Sequence, residues 1–328
     1  MECPGWATAT FDADGARAIE TGGVADLVTG APIAATTRFR WFSVTKVVTA
    51  LAILRAVEGG RLGLEDDVRE RLPWFRPRAR VTPRHLLSHA SGLADPISFG
   101  WVHPPGRPRR SDAELTRATF ARYARLRSAP GAIARYTNLG YLVLGELLEV
   151  VEGDYARAAQ DVLSRAGATT ASFTVGPSAR GHEPLRSART AAMAVIFGRR
   201  TPRLVAYARA GWVGLTPFEL EGRAYGGLIG SIEDLVALGR ALLVSDVVVS
   251  DASLRAMRRR VATGPRGAHG LSLWHHQDGW VGHGGEAGGY RAEVHVDPRR
   301  GVGVAVLTNA GTAATGAKVE ELKRLTGA

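Results

Sequence analysis

Cysteine is nearly absent from these 328 residues: Cys3 stands alone, so no intrachain disulfide can form and the fold must rest on packing. A single thiol beside the N-terminus reads as an incidental residue, not a nucleophile. No apolar run reaches the roughly 18 residues that a membrane-spanning helix needs. The opening MECPGWATATFDADG has neither a basic stretch nor an apolar core, so it does not read as a signal peptide. On these grounds the chain is expected in the cytoplasm, with no membrane partner. Lysine is the other scarcity. Within a formal net charge of +11 there are 39 arginines and only three lysines, Lys46, Lys318 and Lys323. The short basic groups Arg107–Arg110, Arg258–Arg260 and Arg299–Arg300 are scattered along the chain and lack interleaved aromatics, so no nucleic-acid partner is expected.

With 45% hydrophobic residues the chain can build a large core. A prior of roughly 150 residues per domain suggests two lobes. Trp6 to Phe11 and Ala16 to Leu27 read as strands joined by a turn at Asp12–Gly15. A helix follows from near Ser43, apolar nearly all round (Val47, Val48, Ala50, Leu51, Ile53, Leu54, Val57) and therefore buried, and Gly59-Gly60 ends it. Residues 66–214 read as helices and loops, with a capping-box pattern at Ser111–Glu114 and an apolar stripe from Leu139 to Val151. Ser231–Asp234 opens a further helix. Strands return at Leu271–Trp274, Gly279–Gly282, Tyr290–Val296 and Val302–Leu307, before a last short helix through Lys318 and Leu322. Strands at both ends with helices between imply one sheet built from both termini. The expected division is an α/β sheet domain of 1–65 plus 215–328, a helical lobe of 66–214, and an active site between them.

Three short segments carry chemistry. In Phe42-Ser43-Val44-Thr45-Lys46, Ser43 and Lys46 share a helical face, so the amine reaches the hydroxyl. A hydroxyl at a helix start also meets unpaired N–H groups that stabilise an alkoxide or oxyanion. The bland alternative is a serine N-cap with a lysine nearby. Against it, the one lysine outside the C-terminal tail falls in this motif, and lysine can lose its proton where arginine effectively cannot. Tyr136-Thr137-Asn138 supplies a phenol for proton relay and an amide for a substrate carbonyl, although a loop with Asn138 as helix cap fits the same letters. Gly282-His283-Gly284-Gly285-Glu286 follows a strand and precedes another, so it lets a substrate backbone approach but cannot act as a dinucleotide loop. His275-His276 with His295 show no metal-ligand spacing, so neither metal nor cofactor is expected, and His85 and His89 are expected to hold a loop by hydrogen bonds.

Ser-x-x-Lys, then Tyr-x-Asn, then His-x-Gly on a late strand resembles the serine β-lactamase and penicillin-binding protein (DD-peptidase) superfamily. Arg38-Phe39-Arg40, His85 to Leu93, Asn138-Leu139-Gly140-Tyr141, Tyr225 to Leu228 and the ending Gly289 to Asn309 resemble its class C branch, so the likeness covers essentially the whole chain. It implies an α/β (α+β) fold of an antiparallel sheet flanked by helices with an inserted helical lobe. It also implies an acyl-Ser43 intermediate, Lys46 as proton acceptor, Tyr136 as general base and Asn138 at the substrate. His283 would stand where class C β-lactamases carry lysine, with Gly284 and Gly285 beside the substrate. The N–H groups of Ser43 and Glu286 would form the oxyanion hole. Three departures bear on this. His283-Gly284-Gly285 replaces Lys-Thr-Gly, pointing to esterases and peptidases; Glu286 brings negative charge near a β-lactam carboxylate unless its side chain turns away; and the chain opens almost directly at its first strand, without the usual leading helix. The reading is a hydrolase of carboxylic esters or related small acyl compounds. Peptidase, amidase, β-lactamase and acyltransferase activities are open on the same fold, as is a non-catalytic binding scaffold.

Overall fold

The computed structural model describes residues 3–96, 101–106, 110–197 and 204–327. Arg107 and Arg109 of the first basic group lie outside them. Eight antiparallel strands form the main sheet. They are β1 (Gly5–Asp12), β2 (Ala16–Gly23), β3 (Ala262–Gly264), β4 (Gly267–His269), β5 (Trp274–His275), β6 (Val281–Ala287), β7 (Tyr290–Asp297) and β8 (Val302–Thr308), in spatial order β3-β4-β5-β6-β7-β8-β1-β2. The N-terminal hairpin thus completes a sheet begun by the C-terminal strands, with Trp6 opposite Thr308 and Asp12 opposite Val302. The β1–β2 turn forms because Asp12 Oδ1 accepts from the Asp14 N–H at 2.8 Å and Gly15 takes a φ of 152°.

Both faces of β8 are covered, which is why it reads as an unbroken apolar run rather than an alternation. Val302, Val304 and Val306 pack with Trp280 against Val319 and Leu322 of the C-terminal helix (Thr315–Leu325). Ala305 and Leu307 face the other way, into the main core with Ala7, Ala9, Val294 and the helix Ile232–Ala241. Below that core lies α1 (Thr45–Glu58), buried from Thr45 to Leu54 and closed by Gly59 and Gly60, the latter at a φ of 68°. It packs on α2 (Asn138–Glu152) and α3 (Tyr155–Ala166). Capping boxes start the helices at Ser111 and Ser231, as their sequence pattern predicts.

Several boundaries differ from expectation. The middle of the chain is not helix and loop alone. His182–Pro184, Trp212–Leu215 and Val205–Arg209 make a three-stranded sheet, and Val102–His103 pairs with Glu219–Leu220. The hairpin there turns at Ala210-Gly211, both at positive φ, a geometry for which Ala-Gly is a weaker sequence signal than Asn-Gly or Asp-Gly. Leu271–Leu273 is not strand: the Leu271 N–H donates to Met257 O and the Ser272 N–H to Leu87 O, so the segment ties down the ends of neighbouring elements. The second strand stops at Gly23 rather than Leu27. Gly279 belongs to a turn with a φ of 87°, which moves β6 on by two residues and carries His283–Glu286 within the strand instead of beyond it.

Candidate active site

Ser43 lies in a short 3-10 turn, Phe42–Val44, that feeds into α1. Phe42 adopts a φ of 43°, a left-handed conformation rare for a bulky residue. The turn buries Phe42 and Val44 and leaves Ser43 half-exposed between them. Ser43 caps neither the turn nor α1, since no side-chain cap bond is made at either start. Its hydroxyl is therefore held by other side chains.

Lys46 is one of them, fully buried at the head of α1. Its Nζ lies 3.0 Å from Ser43 Oγ, 2.8 Å from Asn138 Oδ1 and 2.7 Å from the Tyr225 carbonyl oxygen. The last two atoms can only accept. A neutral amine spends its two N–H groups on them and is left with a lone pair toward Ser43 Oγ. Desolvation drives the Lys46 pKa well below the usual ammonium range, against a weaker opposing pull from Asp95. Three acceptors around Nζ would suit an ammonium as well, so it is burial that favours the neutral form.

The Tyr136 hydroxyl donates to Ser43 Oγ at 2.6 Å from the other side. Burial pushes the Tyr136 pKa upward, with the Ser43 hydrogen bond opposing, so the phenol keeps its proton in the free enzyme. Its ring is clamped: Trp274 stacks on it at 6.2 Å with a 12° interplanar angle, and the His89 ring lies 4.5 Å away. Thr137, not Asn138, caps α2 by accepting from the Gly140 N–H. Asn138 turns its carbonyl to Lys46, and its backbone N–H donates to Asp95 Oδ1 at 2.8 Å.

β6 forms the wall opposite. A Cβ on Gly285 would stand 2.0 Å from Trp41 O and 2.8 Å from Ser43 N, so only glycine lets the strand run this close to the nucleophile's backbone. His283, two residues earlier, shares that face of the strand and is buried, with its ring 6.4 Å from that of Tyr136. Gly284 and Glu286 face the other way. A Cβ on Gly284 would meet Glu293, and the Glu286 carboxylate pairs with Arg291 at 2.9 Å. Of the residues named from the sequence, Lys46 and Tyr136 thus meet the Ser43 hydroxyl, Asn138 bonds Lys46, and His283 and Gly285 lie on the near face of β6 while Gly284 and Glu286 face away.

Sequence reasoning missed Asp95, Trp274 and Arg266. The Arg266 guanidinium, at the β3–β4 hairpin tip, lies 5.8 Å from the Tyr136 ring centroid. None carried a motif signal, because each reaches the site through packing alone. His89 does hold its loop, accepting from the Thr137 N–H through Nδ1 and from the Arg135 N–H through its carbonyl. It also supports the Tyr136 ring. Among the described residues no group of three or more His, Cys, Asp or Glu side chains is arranged to hold a metal ion, and no helix is long and apolar enough to cross a membrane.

The chain has relatives among known proteins. Esterase EstB of Burkholderia gladioli is 38% identical over 153 residues, which cover 43% of this chain and 39% of that protein. The match therefore spans well under two thirds of the esterase's length. Penicillin-binding protein 4 of Amycolatopsis lactamdurans is 29% identical over 343 residues, covering 94% of this chain and 82% of that one. The octameric penicillin-binding protein homologue from Pyrococcus abyssi superposes with a TM-score of 0.82 over 99% of this chain and 74% of its own, at 23% identity, which speaks for the fold. The beta-lactamase family model matches residues 1–328, and the chain belongs to that family.

Proposed function

We propose that the chain is a serine hydrolase that cleaves carboxylic esters through an acyl-Ser43 intermediate. The observation that carries this reading is Ser43 Oγ held between the buried Lys46 amine at 3.0 Å and the Tyr136 hydroxyl at 2.6 Å. As Oγ bonds to the ester carbon, its proton passes to Lys46, and the carbonyl oxygen becomes an oxyanion beside the Ser43 N–H and β6. The leaving alcohol takes its proton by way of Tyr136, the donor on the far side of Oγ. Water then repeats the sequence to release the acid.

The experiment is a panel of chromogenic esters, D-amino acid anilides and nitrocefin, combined with labelling by a fluorophosphonate. Esters should be turned over fastest and nitrocefin weakly or not at all. Gly284 offers no hydroxyl, and desolvation drives the His283 pKa down to about 3, so no cation waits on β6 for a β-lactam carboxylate. Nitrocefin hydrolysis faster than that of simple esters would overturn the ester reading.

Tyr136→Phe keeps the ring stacking on Trp274 and removes one hydrogen bond to Ser43. Because Tyr136 rests protonated, it acts as donor and relay more than as resident base. Ester turnover should drop about 10²-fold, the low end for a positioned proton-transfer group. Thermal melting and single-turnover kinetics check this, and an unchanged rate would assign all proton transfer to Lys46.

A further inference from the structure

His283 Nδ1 lies 2.7 Å from the Gly284 carbonyl oxygen. A carbonyl only accepts, so Nδ1 carries the ring proton, and Nε2 of the neutral imidazole is left as a bare lone pair. That nitrogen is buried and has no partner among the described residues. Other buried histidine nitrogens share that lack, His89 Nε2 and His269 Nδ1 among them, so this one needs a further reason to be singled out. The reason lies in its position: the ring stands on the β6 face that meets the backbone of Ser43, beside Tyr136. The nearby Lys46 cannot satisfy it while its N–H groups serve Asn138 and Tyr225.

We infer that His283 Nε2 accepts a hydrogen bond from the substrate, so that the preferred acyl compounds carry a hydroxyl or N–H near the scissile carbonyl and a carboxylate at that point is rejected. This rests on the acyl-Ser43 reading and narrows it to a substrate class. A donor fills the lone pair. A carboxylate sets its own lone pairs against it in a desolvated place, where an acceptor facing an acceptor finds no compensation. Burial disfavours protonation of the ring, so the preference holds through neutral pH.

Two sets of esters test this, each varying one group among methyl, hydroxyl and carboxylate. On the acyl side these are the 4-nitrophenyl esters of butyric acid, 3-hydroxypropionic acid and succinic acid. On the leaving side they are the acetates of propanol, ethylene glycol and 3-hydroxypropionic acid. In at least one set the hydroxyl member should exceed the methyl member in kcat/KM by about 10-fold or more, with the carboxylate lowest, as for a site built to bond a donor. His283→Leu should level that ratio. His283→Gln, whose amide oxygen can still accept, should keep part of it, and His283→Lys should turn it toward the carboxylate. Equal handling of methyl and hydroxyl in both sets overturns the inference, as does a hydroxyl preference that survives in His283→Leu. Mass spectrometry of trapped enzyme separates the two levels of failure. An adduct on Ser43 with no hydroxyl preference removes this inference alone, whereas no adduct on Ser43 from any ester removes the acyl-enzyme reading with it.

Discussion

Ser43→Ala should lower kcat/KM on any ester substrate by about 10⁴-fold or more, the scale seen when a serine nucleophile is deleted. The change removes one oxygen from a half-exposed turn residue that caps nothing, and the backbone shape is set by Phe42 and the bond from the Val44 N–H to Trp41 O. The fold should therefore be preserved, with a melting temperature within a few degrees of wild type. The variant also leaves Lys46 and Tyr136 facing each other without the atom whose proton they share, so neither can substitute for it. Fluorophosphonate labelling should vanish in the variant. In the parent, mass spectrometry after a slowly hydrolysed ester should place the acyl group on Phe42–Lys46. An adduct on a different serine, or a variant that keeps full turnover, would remove the nucleophile assignment.

Lys46→Arg is expected to be the next most damaging change, about 10³-fold in turnover, within the range for loss of a positioned base. Outside the C-terminal Lys318 and Lys323 the chain uses arginine as its cation, so charge alone does not account for lysine here. The site requires a group that can be neutral. Lys46 reaches that state because burial depresses its pKa, and arginine stays protonated under the same pressure. The sign of the pH dependence follows. In the wild type, falling pH protonates Lys46, fills its lone pair and lowers kcat/KM, so an acid limb should appear at the depressed lysine pKa. In Lys46→Arg that limb should be missing, since the residue is charged throughout. The bulkier guanidinium must also fit between Asn138 Oδ1 and the Tyr225 carbonyl, so a melting curve should accompany the kinetics. Near-wild-type activity with an unaltered pH profile would show that position 46 supplies only positive charge, and the proposed proton path would fall.

Much of this molecule could be read locally. The Ser43–Lys46 pair lies three residues apart at a helix head, and helical geometry brings such residues onto one face whatever surrounds them. The capping boxes at Ser111 and Ser231, the buried character of α1 and the sheet shared by both termini likewise follow from short patterns. Other features had no local signature. Tyr136 meets Ser43 across 93 positions of chain, and Tyr225 lends its carbonyl to Lys46 across 179. Asn138 looked like a possible helix cap, yet Thr137 took that role and freed the amide to orient the lysine.

What the sequence determined by itself was therefore the set of reacting groups and the elements that carry them, because helix period, caps and turns depend on neighbours only a few residues away. Tertiary structure decided the protonation states and directions on which the chemistry turns. The Lys46 pKa falls because distant helices and strands exclude water from it. Tyr136 is aimed at Ser43 because Trp274 and His89 close on its ring from other parts of the chain. His283 became a neutral acceptor only once β6 ran through Gly284, giving its Nδ1 a carbonyl to bond and its Nε2 none of its own. Desolvation and hydrogen-bond partnership belong to the packed molecule, so a linear pattern can name these residues but cannot assign their charge or aim.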